Sequence, residues 1–223
     1  MEKQLQSWRR DIGAEEGSTM EAEAWTSKGA ATRARIIDAA AALLYERGID
    51  QVGLNDIRKA TSTSHGQVFH YFPGGRAQLL QAVVERQTRQ ALSDQQPPLG
   101  ELDTWESWLA WKDRLLAIHT ERGAIGGCPL GSLTAQLAEE DPEARRLIDA
   151  GFHEWTGYLA RGLSRMREHG HLLPDADPTA LAENILTIVQ GGFVLMQASR
   201  SIRRLSDALD LALRVLAAAM PPA

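Results

Sequence analysis

Apolar residues along this 223-residue chain recur at helical spacing, not at the alternation of strands. From about Thr32, residues Ile36, Ile37, Ala40, Leu43 and Leu44 share one face, and Gly48 stands where a helix-ending glycine belongs. Two short segments follow, about Leu54–Ala60 and Ser64–Tyr71, joined by Thr61-Ser62-Thr63. Pro73-Gly74-Gly75 then breaks the chain ahead of a longer helix from about Arg76 to Leu92. Gln95-Gln96-Pro97-Pro98-Leu99-Gly100 reads as a linker. Beyond it, the pattern predicts helices over Asp103–Glu121 and Leu130–Glu139, from Asp141-Pro142 to Gly170, from Asp177-Pro178 to about Ser199, and over about 205–219. Each Asp-Pro pair puts a capping carboxylate before a proline at the first helical position. With no sustained alternation and no Asn-Gly turn, the expected fold is all-α with about nine helices.

Composition changes this picture in three ways. A hydrophobic content of 43% suffices for a real core. The net charge of −5 is unevenly spread: residues 28–90 carry nine Lys/Arg against five Asp/Glu, and residues 91–223 carry twelve against eighteen. A basic segment on an acidic body suits a nucleic-acid-binding head on a separate regulatory part. Residues 1–27 are acidic and poorly periodic, with Trp8 and Trp25 isolated, and read as a flexible extension. Cys128 is the only cysteine, so no intrachain disulfide forms, and nothing beside it argues a reactive thiolate. There is no apolar run near 18 residues and no signal-type segment, which places the expected protein in the cytoplasm, away from membranes. No phosphate loop, His-Glu-x-x-His or Gly-x-Ser-x-Gly is present, and His169-x-His171 sits beside a helix-ending glycine without thiols. The sequence therefore offers no catalytic, metal or cofactor site.

The informative stretch is Gly53–Phe72, GLNDIRKATSTSHGQVFHYF. Two short helices around a polar turn are a device for seating the second helix in a DNA major groove. Leu54 and Ile57 would anchor the first helix, Ser64 would cap the second, and Val68, Phe69 and Phe72 would face inward or seal its end. His65, Gly66, Gln67 and His70 then face outward. Gln67 could pair with adenine and His65 with guanine, and Asn55 could reach a base edge. Thr63, Tyr71 and Arg76 suit phosphate oxygens.

The run from Thr32 to Leu80 resembles the DNA-binding head of the TetR (tetracycline-repressor-like) regulators. Ser64, Gly66, Phe69 and Phe72 match that family's Ser-x-Gly-x-x-aromatic-x-x-Phe pattern, and Asp56-Ile57 and Phe72 through Leu79 match its flanks. Phe72-Pro73-Gly74-Gly75 and Gly127-Cys128-Pro129-Leu130-Gly131 resemble the subgroup of lincomycin-resistance and flavonoid-responsive repressors. Four positions depart from the family pattern: Ser62 for the turn glycine, Gly53 for a capping Ser or Thr, Phe69 for tyrosine, and His65 for lysine. The resemblance implies a DNA-binding domain over residues 28–75, with its helix-turn-helix at 53–72, and a ligand-binding and dimerisation domain over 76–223.

In the body, Trp105, Trp108 and Trp111 recur every three residues beside Leu109, with Phe152 and Trp155 on another helix. Plain core is one account of them. The other, implied by the resemblance, is a cavity for a lipophilic or aromatic effector, with His119, His153 and Gln190 as polar contacts. The last two helices resemble the family's dimerisation pair. Ile185, Ile188, Val189, Gly191, Gly192 and Leu195 on one, and Leu205, Leu209, Leu213 and Leu216 on the other, are the expected interface residues. A homodimer would set two recognition helices about 34 Å apart on a palindromic operator. The expected function is a repressor that releases this operator when its effector binds. The alternative from another class is a helical ligand-binding or enzymatic protein whose head no longer reads DNA.

Overall fold

The computed structural model describes residues 26–139 and 141–222. The extension expected over 1–27 lies, through residue 25, outside the described residues; Thr26 caps the first helix, accepting from the Gly29 N–H at 3.2 Å. Among the described residues there are nine α-helices and no strand. They are α1 (Ser27–Arg47), α2 (Leu54–Thr61), α3 (His65–Tyr71), α4 (Gly75–Asp94), α5 (Trp105–Glu121), α6 (Pro129–Leu137), α7 (Pro142–Glu168), α8 (Pro178–Ser199) and α9 (Ile202–Ala218).

The chain divides into two compact units, Met1–Val83 and Val84–Ala223, with the division inside α4 rather than before it. The first unit is small. Ile36, Ile37, Ala40 and Leu44 of α1 are buried with Val52, Ile57, Val68, Phe72 and Leu79. Val52, from the turn before α2, supplies the anchor expected of Leu54, which is only half-buried. Gly48 ends α1 with a positive φ of 80°, a conformation that glycine adopts without Cβ strain.

The second unit is built on long helices, with α8 packed on both α7 and α9, α6 on α7, and α5 on α9. Its boundaries follow local chemistry. Asp141 accepts from the Glu143 and Ala144 N–H groups at 3.0 and 2.9 Å. Asp177 does the same for Thr179 and Ala180 at 2.9 and 3.3 Å. Thr104 and Ser107 cap α5 reciprocally, each hydroxyl accepting from the other's N–H. Such caps contribute about 1 kcal/mol each.

The linker expected at Gln95–Gly100 is a packed corner instead. Gln95, Leu99 and Leu102 are buried. The Gln95 amide donates to the Ala91 carbonyl at 2.7 Å and accepts from Trp111 Nε1 at 2.9 Å. Proline and glycine mark a change of direction, and the buried glutamine holds it still. The absence of long apolar runs also understated α8, which is long and apolar enough by length and composition to cross a membrane. That apolarity serves two seams within the protein, since Ile185, Val189, Phe193 and Met196 are all buried.

Candidate nucleic-acid interface and body cavity

The helix-turn-helix is held by hydrogen bonds that close within it. Gly53 caps α2 without a side chain, and Asp56 Oδ2 takes up the Gly53 N–H at 3.0 Å. Ser62 ends α2 in the left-handed region, φ 52° and ψ 39°. A serine there costs on the order of 1 kcal/mol relative to an unstrained residue. Thr61 donates to the Ile57 carbonyl at 2.7 Å, and the Thr61 and Thr63 hydroxyls bond at 2.7 Å. Thr63 is therefore corrected from phosphate ligand to turn residue: it is buried, with its hydroxyl turned to Thr61.

The recognition helix α3 opens with a complete capping box. Ser64 Oγ accepts from the Gln67 N–H at 3.1 Å, and Gln67 Oε1 accepts from the Ser64 N–H at 2.8 Å. Val68 and Phe72 anchor the rear of the helix, and the Arg33 guanidinium lies 5.2 Å from the Phe72 ring centroid. Ser64, His65, Gly66, Gln67 and His70 are exposed, and Asn55 is exposed on α2. A Cβ on Gly66 would meet nothing within 4 Å, so no contact within the chain requires glycine there.

Several other side chains of this unit have partners of their own. Gln67 Oε1 is engaged in the cap, so bidentate pairing with adenine requires opening that bond. Phe69 is half-buried with its ring 4.5 Å from that of His65, and Tyr71 is half-buried beside the His70 ring. Arg76 Nη2 donates to the Ile49 carbonyl at 3.0 Å, tying the start of α4 to the turn after α1. Its first role is thus to brace the fold. Asn55 accepts from Arg58 at 2.9 Å, which positions its amide at the exposed face of α2.

In the second unit a cavity of about 30 Å³ is lined by Ala91, Asp94, Gln95, Leu115, Ile118, His119, Arg122, Cys128, Pro129, Trp155 and Phe193. Of the expected ligand residues, His119 and Trp155 line it. Gln190 stands beside it, against Cys128 and Gly131. Trp108 and Trp111 are fully buried core, packed edge to face at 5.6 Å. Trp105 and Phe152 are half-buried against that core, Leu109 is 37% exposed, and His153 is exposed, 3.6 Å from Asp149. None of these six reaches the cavity, because a stripe of tryptophans serves packing before it serves a ligand. Ile118, Phe193, Gln95 and the Asp94–Arg122 pair carried no periodic signal that marked them as lining.

Burial lowers the His119 pKa to about 4, with Arg122 pushing in the same direction and Asp94 opposing, so the imidazole is neutral at pH 7. Burial pushes the Cys128 thiol up from its ordinary value, which suits a packed, unreactive cysteine. Among the described residues no group of three His, Cys, Asp or Glu could hold a metal ion, and His169 and His171 lie exposed with rings 6.1 Å apart.

Comparison with known proteins agrees with this two-part arrangement. Residues 36–83 match a model of the tetR family of bacterial regulatory proteins, and residues 108–212 match the tetracyclin repressor-like C-terminal domain. The chain belongs to the TetR family. An HTH-type transcriptional regulator from the lacX 3′ region of Lactococcus lactis subsp. lactis is 27% identical over 188 residues, spanning 81% of this chain and 90% of the relative. The HTH-type transcriptional repressor NemR of Escherichia coli K12 is 25% identical over 181 residues, spanning 80% and 90%. A TetR regulator from Chloroflexus aurantiacus J-10-FL shares the fold, with a TM-score of 0.73 and 21% identity over 89% of this chain and all of that one.

For a TetR protein the expected dimer residues need correction. Ile185, Val189, Gly192, Leu205, Leu209, Leu213 and Leu216 are all buried within one chain. They form the seam between α8 and α9 and the core beneath it. Gly192 allows that seam: a Cβ there would run into Ala208 and crowd the side chain of Leu205. The opposite face of the same two helices is open, with Val194 64%, Leu195 56% and Leu211 45% exposed, and a Cβ added at Gly191 would meet nothing within 4 Å.

Proposed function

We propose that this TetR-family protein is a homodimeric, cytoplasmic repressor that binds a palindromic operator and releases it when a small molecule occupies the body. The observation that carries the DNA reading is the α3 geometry. A helix capped by Ser64 and anchored by Val68 and Phe72 exposes His65, Gly66 and Gln67 at its N-terminal end, where base edges are read. His65, Gln67 and Asn55 are the proposed base contacts, and His70 and Tyr71 the flanking ones. Gly66 leaves room for the DNA itself.

The dimer reading rests on the outward face of α8 and α9. Val194, Leu195 and Leu211 are large apolar side chains on two of the longest helices of the body, around a glycine with open space over it. Packing this face on a second copy would remove apolar area from water at about 25 cal/mol per Å². Effector release would need a ligand with different affinities for the operator-bound and released states, and 1–3 kcal/mol of such coupling weakens binding roughly 5- to 150-fold.

The test is a gel shift on the DNA upstream of the protein's own gene, with excess scrambled duplex as competitor. A complex that survives the scrambled competitor but not unlabelled upstream DNA is the predicted result. If both competitors displace the protein equally, the head is no sequence reader.

A further inference from the structure

Two amide side chains, Asn55 and Gln67, stand exposed on the helix-turn-helix, and each has already spent its carbonyl oxygen. Gln67 Oε1 accepts from the Ser64 N–H at 2.8 Å, and Asn55 Oδ1 accepts from Arg58 Nη1 at 2.9 Å. A backbone N–H and a guanidinium can only donate, so in both amides the oxygen must be the bonded atom. Each amide therefore offers an outside partner its NH2 group, two donors and no acceptor. Ser64, His65 and Gly66 beside them carry no carboxylate. Arg58 adds an independent sign. Its Nε is buried without a partner, which costs stability, while its Nη1 reaches out to Asn55. A guanidinium kept at that cost holds Asn55 in one orientation.

We propose that the head reads guanine, not adenine, at the base pairs faced by Asn55 and Gln67, with Arg58 as the positioning residue that makes Asn55 a donor. This deepens the proposed function and rests on its placing of both amides against base edges. In the major groove guanine presents two acceptors, N7 and O6, whereas adenine presents one acceptor beside its N6 donor. An amide with a free carbonyl matches adenine bidentately. One with its carbonyl spent sets its NH2 against the adenine amine and leaves that pairing half made. Cytosine offers the N4 donor, and thymine offers O4 alone. Reading adenine would require Oε1 to leave the cap of α3 and Oδ1 to leave Arg58. The bond that caps the recognition helix thus also sets its base preference.

The test is a competition gel shift of the full-length protein on the DNA upstream of its own gene. Each base pair of the bound segment is exchanged in turn for the other three. Asn55→Ala locates one pair and Gln67→Glu the other, as the positions where the base preference flattens. The glutamate keeps the capping oxygen and loses both donors. At each pair the wild type should favour guanine over adenine on the order of tenfold, the worth of one hydrogen bond made against one missed. Replacing that guanine by 7-deazaguanine, which lacks the N7 acceptor, should weaken binding by the same order. Arg58→Met keeps an apolar stem and frees Asn55 Oδ1, so it should raise adenine to the level of guanine at the Asn55 pair and at no other. A role for Arg58 in folding alone would weaken all duplexes alike. The wild-type contrast stands even if that variant folds poorly. Any base but guanine favoured at a located pair, 7-deazaguanine without effect, or an unchanged preference in a folded Arg58→Met would each overturn this proposal alone. If neither Asn55→Ala nor Gln67→Glu flattens any pair, the base contacts of the proposed function fall with it, and equal binding of every duplex counts against the reader itself.

Discussion

The two units of the chain treat their polar atoms in opposite ways. In the head, the recognition element closes on itself through the Ser64–Gln67 box, the Gly53–Asp56 bond and the Thr61–Thr63 pair, and among the described residues there Arg58 Nε is the one buried side-chain nitrogen without a partner. In the body, large tryptophans fill the core while donors around the cavity stay unpaired. A surface that must meet a long, rigid polyanion gains from being finished beforehand, because no ordering cost then falls on binding. A cavity that must sense its occupant gains from being unfinished, because the occupant then supplies what the empty state lacks.

The contrast can be broken most forcefully from the body side. Leu195→Glu with Leu211→Glu places charge on the outward face of α8 and α9 and leaves the head untouched. Sedimentation should show monomers, and operator affinity should fall at least on the order of a hundredfold as two-headed binding is lost. A variant that stays dimeric would disprove the dimer face, and a monomeric one that binds undiminished would disprove two-headed binding.

One substitution made in both units gives opposite signs. Gly162→Ala drives a Cβ into the carbonyl and side chain of Leu102, so urea denaturation should show a loss of about 2–3 kcal/mol. Gly66→Ala meets nothing within the chain and improves helix propensity, so it should stabilise by up to ~1 kcal/mol. The same Gly66→Ala should weaken operator binding, because the new methyl group meets DNA. Stability lost at position 66, or operator affinity unchanged there, would remove that glycine from the interface.

His119 gives the next largest effect. Its folded pKa lies near 4, below the ordinary 6.5, so the unfolded chain binds a proton that the folded chain refuses between those values. Stability from this group is fully present above about pH 6.5 and falls as pH drops toward 4, by on the order of 1–3 kcal/mol. His119→Gln should flatten the difference in denaturation midpoint between pH 4.5 and 7; an unchanged slope would mean the imidazole is not desolvated. The smallest expected change is Ser62→Gly, which relieves the left-handed strain and should stabilise by about 0.5–1 kcal/mol in the same assay.

What could be read from the sequence was local. Caps at Ser64, Asp141 and Asp177 depend on a side chain and an N–H two or three residues away, and each is found where the pattern placed it. The recognition helix was legible for the same reason. Features that depend on a distant partner were not. Gln95 looked like part of a linker because its partner Trp111 lies sixteen residues on. Thr63 looked free because burial, not sequence, turns its hydroxyl inward. The apolar stripe of α9 fits a second subunit as well as its own chain by spacing alone, which shows that a face is buried but not by which chain. The tryptophans every three residues suggested a pocket, yet two of them are packed into solid core.

In the proposed dimer, two copies of α3 read DNA in successive major grooves. Hydroxyl-radical footprinting on the upstream operator tests it most directly. The expected result is two protected patches related by a dyad and centred about one helical turn, roughly 34 Å, apart, with both patches fading together as salt rises. A single patch, or even protection along the fragment at every salt concentration, would contradict it.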